Sequence, residues 1–274
     1  MKNTSLFLLP VIAAAMTLSA PAAPAVKPLK ALLVIGGCCH DYGTQKDILE
    51  AGIEARANIQ VDVCYSADKG TKPPFTCYEK DDWAAGYDVI IHDECAADVK
   101  DLAMVNRILA PHREGLPGVN LHCAMHSYRV SPDFKKSLES GTEGAVWFDY
   151  LGLQSTGHGS QTPISISYVD PASPITNGLE NWTTIKEELY NNISVHAEAK
   201  PLAKGKQGDA ETIIVWTNEY GDKKTRVFST TLGHNNETVA DARYLDLVTR
   251  GLLWTCNKLE KDGKPAAGYE AAGK

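Results

Sequence analysis

Residues 117–129, PGVNLHCAMHSYR, place two histidines and a cysteine directly after a short apolar strand. Corners of this kind, leading into a predicted helix, are where open α/β sheets put reactive side chains. His122, Cys123 and His126 are therefore candidate catalytic residues. A nucleophilic Cys123 needs a nearby base and a lowered thiol pKa, whereas the two imidazoles could instead bind a metal ion. The structural alternative is that the cysteine packs in the core and the histidines cap or pack.

A second histidine corner, LGHNNET, surrounds His234 between the last predicted strand and the last predicted helix. This histidine is expected to face the same sheet edge as Cys123. An early cysteine corner and a late histidine corner are the layout of a Cys–His dyad in amidotransferase-like α/β enzymes. Asn235, the next residue, is a candidate for substrate binding.

Polar residues also follow the first and third predicted strands. Gly36-Gly37 allow a tight turn or a close approach to a ligand, and His40 and Asp41 come directly after them as candidate substrate-binding residues. The G-x-G-x-x-G spacing is absent, so dinucleotide binding is unsupported. The segment 92–94, His-Asp-Glu, ends the third strand at the carboxyl edge, where ligands bind. Helix capping by its acids is the alternative.

Two later segments add candidates. His158 lies in a glycine-flanked loop and is a candidate for substrate contact, with a plain surface position as the alternative. Glu188 could orient a histidine or act as an acid or base, although a solvated pair with Lys186 is the simpler explanation. Tyr190 is a candidate for stacking on a substrate ring.

The periodicity predicts the elements that must position these residues. In the first half, apolar strands alternate with amphipathic helices, which predicts a parallel sheet with helices on both faces. The second half carries a strand, a hairpin and a final helix. The predicted strands are 30–35, 59–64, 87–91, 119–121, 164–169, 212–217 and 225–230, and the predicted helices are 44–57, 98–112 and 239–259.

The first 25 residues have the pattern of an export signal. Lys2 gives a positive start, 6–18 is apolar, and Ala-Pro-Ala repeats offer small-residue cleavage sites. The apolar run is shorter than the roughly 20 residues of a membrane-spanning helix, so an uncleaved anchor is the weaker alternative. We expect a periplasmic or secreted protein with no stable membrane insertion after signal cleavage. One domain over 28–260 and a disordered tail over 261–274 are expected.

Charge and cysteine content narrow the function further. A net charge of −7 argues against nucleic acid, because phosphate binding needs a positive stripe. Seven cysteines in an exported chain favour disulfides. Up to three bridges could form among Cys38, Cys39, Cys64, Cys77, Cys95 and Cys256, which would leave Cys123 free; their connectivity is open, with Cys64 and Cys77, which flank a proline-containing loop, as the favoured pair. No C-x-x-C occurs, so a structural thiolate zinc site is not indicated.

Taken together, these segments resemble the ThuA-like (trehalose utilisation) family of the class I glutamine amidotransferase-like superfamily. The resemblance implies an α/β fold, a flavodoxin-like three-layer α/β/α sandwich with a mostly parallel sheet, and a role in the metabolism of sugars, notably disaccharides. The segments are HDY at 40–42, YDVIIHDE at 87–94, LHCAMHSYR at 121–129, GHG at 157–159, EELY at 187–190, TRVFSTTLGHNNET at 225–238 and RYLDLVTRGLLW at 243–254.

The resemblance to true amidotransferases is incomplete. Leu121 and Met125 stand where those enzymes have glycines around the cysteine. The His-x-Glu ending is stretched here to His234-Asn-Asn-Glu237. Both departures argue against a glutaminase reaction, as does the risk of oxidation for a catalytic thiol outside the cytoplasm.

Three hypotheses follow. The first is an exported carbohydrate-processing enzyme in which His234 and Glu188 act as acid and base while His122 or His126 orients the sugar. Zinc or another divalent metal fits that site, with His122, His126, Glu188 and His234 as candidate ligands. The second is a sugar-binding protein without catalysis, and the third is an amide hydrolase that depends on Cys123.

Overall fold

The first strands form because their apolar runs can be buried on both faces. The computed structural model describes residues 26–271, so the predicted signal peptide lies outside them. Lys30 is exposed in the first strand, and the other eight residues of that strand are buried. Such two-sided burial is typical of parallel strands covered by helices.

Eleven strands and five α-helices are present in the described chain. The strands are β1 (Leu29–Gly37), β2 (Ile59–Ser66), β3 (Val89–Cys95), β4 (Gly118–Leu121), β5 (Leu153–Thr162), β6 (Ser165–Tyr168), β7 (Trp182–Thr183), β8 (Glu187–Val195), β9 (Lys200–Gln207), β10 (Ala210–Tyr220) and β11 (Thr225–Thr230). The helices are α1 (Tyr42–Glu54), α2 (Leu102–Arg113), α3 (Val146–Leu151), α4 (Asn236–Val239) and α5 (Ala242–Thr255).

Nine strands make one sheet in the order β2-β1-β3-β4-β11-β10-β9-β6-β7. The five strands from β2 to β11 run parallel to one another. The remaining four extend the sheet by antiparallel pairing, including the predicted hairpin of β10 and β11. The parallel half therefore has one carboxyl edge, at which β1, β3, β4 and β11 all end.

Helices cover both faces of the sheet. One apolar core contains Leu49 of α1 and Val248 of α5, and the other contains Ile108 of α2 and Phe148 of α3. The predicted α/β three-layer sandwich is confirmed. No helix within residues 26–271 is long and apolar enough to cross a membrane.

The structure corrects two local predictions. The segment 92–94 lies inside β3 rather than after it, because β3 keeps pairing with β1 as far as Gly37 opposite Cys95. The corner after β4 does not open a regular helix. It forms a short 3-10 helix, His122–His126, that ends where Tyr128 takes a left-handed backbone conformation with φ of 54°.

Two further regions differ from the sequence prediction. β5, which contains the predicted loop around His158, and β8, which was not among the predicted strands, pair as a separate antiparallel ribbon. The tail, expected to be disordered, lies against the domain as far as residue 271. Its Tyr269 carbonyl accepts from the Asn58 amide, and Glu270 bridges to Ala57. Backbone pairing and the packing of Tyr269 on the core hold this segment, which composition alone does not reveal.

Candidate functional site

Three imidazoles converge at the carboxyl edge of the sheet. His40 follows β1, His122 follows β4 and His234 follows β11. One ring nitrogen from each lies within 4.8 Å of the others. The ring centroid of His40 lies 4.7 Å from that of His122 and 4.8 Å from that of His234, and both contacts are edge-to-face.

Unusual backbone conformations place two of these rings. Gly37 has a φ of 104°, and a Cβ there would lie 2.4 Å from the Cys95 carbonyl oxygen, so only glycine lets the chain turn toward His40. His122 itself has a φ of 37°, a sparsely populated region for a residue with a side chain. Residues in such conformations cluster at functional sites, because the surrounding structure must hold them there.

Backbone carbonyls fix the protons of two rings. The His122 Nδ1 lies 2.7 Å from the Thr231 carbonyl oxygen, and the His40 Nδ1 lies 3.2 Å from that of His234. Because a carbonyl oxygen only accepts, each Nδ1 donates and each Nε2 keeps its lone pair. The His122 Nε2 is buried without a hydrogen-bond partner. Histidines that bind a metal commonly donate their other ring N–H to a carbonyl oxygen in this way.

Glu188 brings a carboxylate to the imidazoles. Its oxygens lie 3.2 Å from the His234 Nδ1, 3.5 Å from the His122 Nε2 and 3.5 Å from the His158 Nδ1. Neither the His234 Nδ1 nor the His122 Nε2 forms an aligned hydrogen bond in this geometry. Gln161 of β5 donates to the same carboxylate from across the ribbon.

The electrostatics separate these groups. Burial opposes ionisation of Glu188, but the nearby imidazoles of His122 and His234, when protonated, outweigh burial and hold the pKa of Glu188 well below the ordinary value. The Glu188 carboxylate, 3.2 Å from the His234 Nδ1, raises the pKa of His234. Burial, with repulsion from His122 and His234, lowers the pKa of His40 to about 3. The site therefore combines an ionised carboxylate with at least one neutral imidazole near pH 7.

A residue missed by the sequence analysis holds the His234 loop. The buried Glu187 carboxylate accepts from the backbone amide of His234 at 3.0 Å and from that of Gly233 at 3.3 Å. Gln45 of α1 donates to the carbonyl of His234 at 3.2 Å. The EELY motif singled out the position of Glu188, but nothing local in the sequence showed that its neighbour also points inward.

His126 lies beside the imidazole cluster rather than in it. Its ring stacks on Tyr190 with centroids 4.1 Å apart, and its Nε2 lies 2.9 Å from the Ser155 hydroxyl. Its place among the predicted metal ligands is taken by His40. His158 lies at the rim with 41 % of its side chain exposed, 6.0 Å from the Tyr190 ring.

The remaining predicted substrate contacts are helix caps. Asp41 caps α1 by accepting from the Thr44 amide, and its carboxylate also accepts from the Asn236 side chain at 2.8 Å. Asn235 caps α4 by accepting from the Thr238 amide at 2.9 Å. Both side chains satisfy backbone groups next to His40 and His234, so they position the site from outside it.

Cys123 is a free, buried thiol. Its Sγ lies 3.3 Å from the His40 Nε2 and 2.8 Å from the Cys95 Sγ. The hydrogen bond with Cys95, together with burial, raises the pKa of Cys123 well above its ordinary value. A thiol held in this state is a poor nucleophile at neutral pH.

A second histidine cluster lies within the layer that packs on α2 and α3. The His92 Nε2 lies 3.1 Å from the His112 Nε2, and the His92 Nδ1 lies 2.8 Å from Glu94. The His112 Nδ1 donates to the Leu116 carbonyl at 2.7 Å. Tyr128 donates to Glu94 at 2.8 Å. Every ring nitrogen in this cluster has a partner, so it is a structural network.

The imidazole cluster fits a single metal ion. Two nitrogens on one tetrahedral zinc are about 3.3 Å apart, from Zn–N bonds of about 2.0–2.1 Å. The three ring nitrogens lie within 4.8 Å of one another, so a pair at that limit would have to approach by about 1.5 Å to bind one zinc ion.

A cavity of about 650 Å³ lies at the opposite, amino edge of the sheet. It is lined by Lys30, Asp88 and Lys258 and contains none of these histidines.

The sequence that forms this site matches a known protein family. The family model for ThuA, described as trehalose utilisation, matches residues 30–255. The chain belongs to the ThuA family. That match spans all three imidazoles and Glu188. No curated protein sequence matches this ThuA-family chain significantly.

Solved structures share the fold of this ThuA-family chain. A putative ThuA-like protein from Parabacteroides merdae is 20% identical with a TM-score of 0.64, covering 90% of this chain and 98% of its own. A putative ThuA-like protein from Bacteroides uniformis is 15% identical with a TM-score of 0.60, covering 90% and 99%. At these identities the likeness establishes the fold alone.

Proposed function

We propose that this ThuA-family protein is a carbohydrate-processing enzyme that acts outside the cytoplasm on a disaccharide or glycoside. The observation that carries the proposal is the convergence of His40, His122 and His234 within 4.8 Å beside the ionised Glu188. The trehalose-utilisation family supports a sugar as substrate. The net charge of −7 favours a small neutral ligand over nucleic acid.

The donor set suits zinc. His40, His122 and His234 would hold the ion, with the Glu188 carboxylate as a fourth donor or a close neighbour. The buried His122 Nε2, which has no hydrogen-bond partner, is the observation that fits such an ion. A bound divalent metal would polarise an oxygen of the sugar or of a water molecule.

The chain's own residues supply the proton transfers. Glu188 is kept ionised, so it accepts a proton from a sugar hydroxyl or from water. In the metal-free site, the raised pKa of His234 lets its imidazole hold a proton next to that carboxylate and return it to a leaving oxygen, whereas with an ion bound His234 would serve as a ligand instead. His158, at the exposed rim, lies where a sugar would approach.

Two observations support a location outside the cytoplasm. The first 25 residues have the composition of an export signal. Cys64–Cys77 and Cys38–Cys39 are disulfides, which persist in oxidising compartments. Fractionation of bacterial cells that express the full chain, with sequencing of the mature amino terminus, tests this part. A cytoplasmic protein that keeps its first 25 residues would refute it.

Elemental analysis of the purified mature protein tests the metal site. We expect near-stoichiometric zinc or another divalent ion in the native protein, lost in His122→Ala and in His234→Ala. His196→Ala is the matched control, because His196 pairs loosely with Asp149 at 3.7 Å, away from the cluster. Absence of a divalent ion from every sample would remove the metal and leave acid–base chemistry or a binding role.

The alternatives predict different outcomes. A sugar-binding protein would show saturable disaccharide binding by calorimetry with no turnover. An amide hydrolase would lose activity in Cys123→Ser and after thiol alkylation. We expect Cys123→Ser to retain far more activity than His234→Ala, since the raised pKa of the Cys123 thiol argues against a nucleophile. The reverse order would overturn the proposed roles.

A further inference from the structure

Four cysteines form a continuous line of sulfurs beside the imidazole cluster. Cys38 and Cys39 are joined as a disulfide between neighbouring residues. The Cys38 Sγ lies 3.3 Å from the Cys95 Sγ, which lies 2.8 Å from the Cys123 Sγ. The Cys123 Sγ in turn lies 3.3 Å from the Nε2 of His40. The line therefore connects a disulfide with two free thiols and ends at the site.

Exposure changes along this line. Cys39 is exposed, Cys38 is partly buried, and Cys95 and Cys123 are buried. A molecule in solution can therefore reach Cys39, whereas the buried pair contacts the disulfide at Cys38. The Cys39 backbone is left-handed with a φ of 82°, a conformation that a residue with a side chain adopts rarely.

We infer that Cys38, Cys39, Cys95 and Cys123 form a thiol–disulfide exchange relay whose external partner is a small thiol or disulfide that reacts at Cys39. This activity is separate from sugar processing and does not rest on the proposed function. Its reactants are present in the chain, because the Cys38–Cys39 disulfide is the oxidant and the inner thiols are the reductant.

The relay has two balanced steps. In the first, the Cys95 thiolate attacks the Cys38 Sγ, the Cys38–Cys39 bond breaks, and Cys39 leaves as a thiolate that takes up the proton lost by Cys95. In the second, Cys123, whose hydrogen bond with Cys95 is lost in the first step, gives up its proton and attacks the Cys95 Sγ; the Cys38–Cys95 bond breaks, and Cys38 leaves as a thiolate that takes up that proton. The net result is a Cys95–Cys123 disulfide and a reduced Cys38–Cys39 pair, which an external disulfide can reoxidise.

The environment of Cys95 favours the first step. A hydrogen bond donated by Cys123 lowers the pKa of Cys95 despite burial, and the positive charge of Arg129 acts in the same direction. A thiolate is the attacking species in exchange, so this environment increases its population. Completion of the relay consumes the Cys123 thiol that contacts His40, which would couple the redox state to the site.

Peptide mapping reads out each step, because trypsin separates the sulfurs. Cys38 and Cys39 share the fragment 31–46, Cys95 lies in 81–100, and Cys123 lies in 114–129. The native full-length mature protein is equilibrated in glutathione buffers of graded reduced-to-oxidised ratio, alkylated and digested. We expect 81–100 to be found joined to 114–129, together with 31–46 carrying two alkyl groups.

Two variants identify the route. Cys95→Ser should abolish every joined peptide among the fragments 31–46, 81–100 and 114–129 and leave Cys123 fully alkylated. Cys123→Ser should stop the relay after the first step, giving 31–46 joined to 81–100 with Cys39 alkylated. Cys256→Ser is the matched control, because Cys256 is a free cysteine at the opposite edge of the sheet, and it should behave as the native protein.

One result overturns the inference. If Cys95 and Cys123 are alkylated quantitatively at every glutathione ratio while 31–46 only changes between its closed and doubly alkylated forms, no exchange passes through Cys95. Far-ultraviolet circular dichroism of each variant shows that the fold is intact. The Cys64–Cys77 disulfide, 13 residues apart in sequence, serves as an internal standard that should not exchange with the four relay cysteines.

Discussion

The two buried histidine clusters use the same residue types but differ in how their ring nitrogens are satisfied. In the network of His92 and His112, every ring nitrogen has a hydrogen-bond partner. In the cluster at the carboxyl edge, the His122 Nε2 and the His234 Nδ1 are buried with no aligned partner. A buried polar atom without a partner costs about 1–3 kcal/mol, so its retention points to a ligand. The presence or absence of hydrogen-bond partners for the ring nitrogens, rather than the number of histidines, distinguishes the candidate site from the structural network.

Zinc binding should separate the clusters most strongly. His122→Ala removes one of three imidazole ligands, so zinc affinity should fall by more than about 100-fold, the upper end of the loss seen for outer-shell partners. His92→Ala should leave the zinc stoichiometry of the folded fraction unchanged. Competition with a chromophoric chelator measures both affinities. Equal losses of zinc affinity in His122→Ala and His92→Ala would show that the two clusters do not differ in metal binding.

The free energy of unfolding should depend more on the network of His92 and His112 than on the imidazole cluster. His112→Ala leaves the His92 Nε2 and the Leu116 carbonyl without a partner and opens a cavity, which should cost about 3 kcal/mol of the free energy of unfolding. Urea denaturation of the metal-free protein measures this cost. The control His196→Ala, at a half-buried ring that pairs loosely with Asp149, should cost no more than about 1 kcal/mol. A loss that small for His112→Ala would show that the network is dispensable.

Acid should destabilise the structural network. Burial, with repulsion from His92, lowers the pKa of His112 to about 3 from 6.5. The unfolded chain therefore binds this proton first, and the stabilisation present above pH 6.5 is lost as the pH falls towards about 3. The slope from this group is about 1.4 kcal/mol per pH unit. His112→Gln, neutral throughout, should flatten the curve of unfolding free energy against pH by about that slope, and an unchanged curve would contradict it.

Glu188→Gln should change a single titration, that of His234, in the metal-free protein. The substitution keeps the shape of the side chain but removes the carboxylate that raises the pKa of His234. The pKa of His234 should then fall towards its ordinary value, as measured by NMR titration of the imidazole protons in the metal-free protein. Glu219→Gln, at an exposed position between buried residues of β10, is the control and should leave that pKa unchanged. A His234 pKa that does not respond to Glu188→Gln would break the assigned pairing.

Local patterns predicted much of the fold and the corners of the site. Apolar runs such as residues 30–35 were recognised because two-sided burial demands them. His122 and His234 were placed at the carboxyl edge because each follows a predicted strand directly. The segment 92–94 was placed at the edge as well, but continued pairing with β1 put it inside β3, where His92 and Glu94 face the core.

The sequence by itself determined the alternation of strands and helices, the parallel half of the sheet and the positions of His40, His122 and His234 after three of its strands. These features depend on local hydrophobicity and on glycines at turns. The tertiary structure alone decided that His40 rather than His126 joins the cluster, because the left-handed His122 backbone and the Tyr190 stack direct the two rings apart.

Pairing between distant segments settled the rest. Glu188 reaches the imidazoles because β8 pairs with β5, a ribbon of polar and glycine-containing segments that have no strand signature of their own. The line of sulfurs from Cys38 to Cys123 likewise joins residues that lie far apart in the sequence. Contacts of this kind arise from the packing of whole elements, and no local window of the sequence contains both partners.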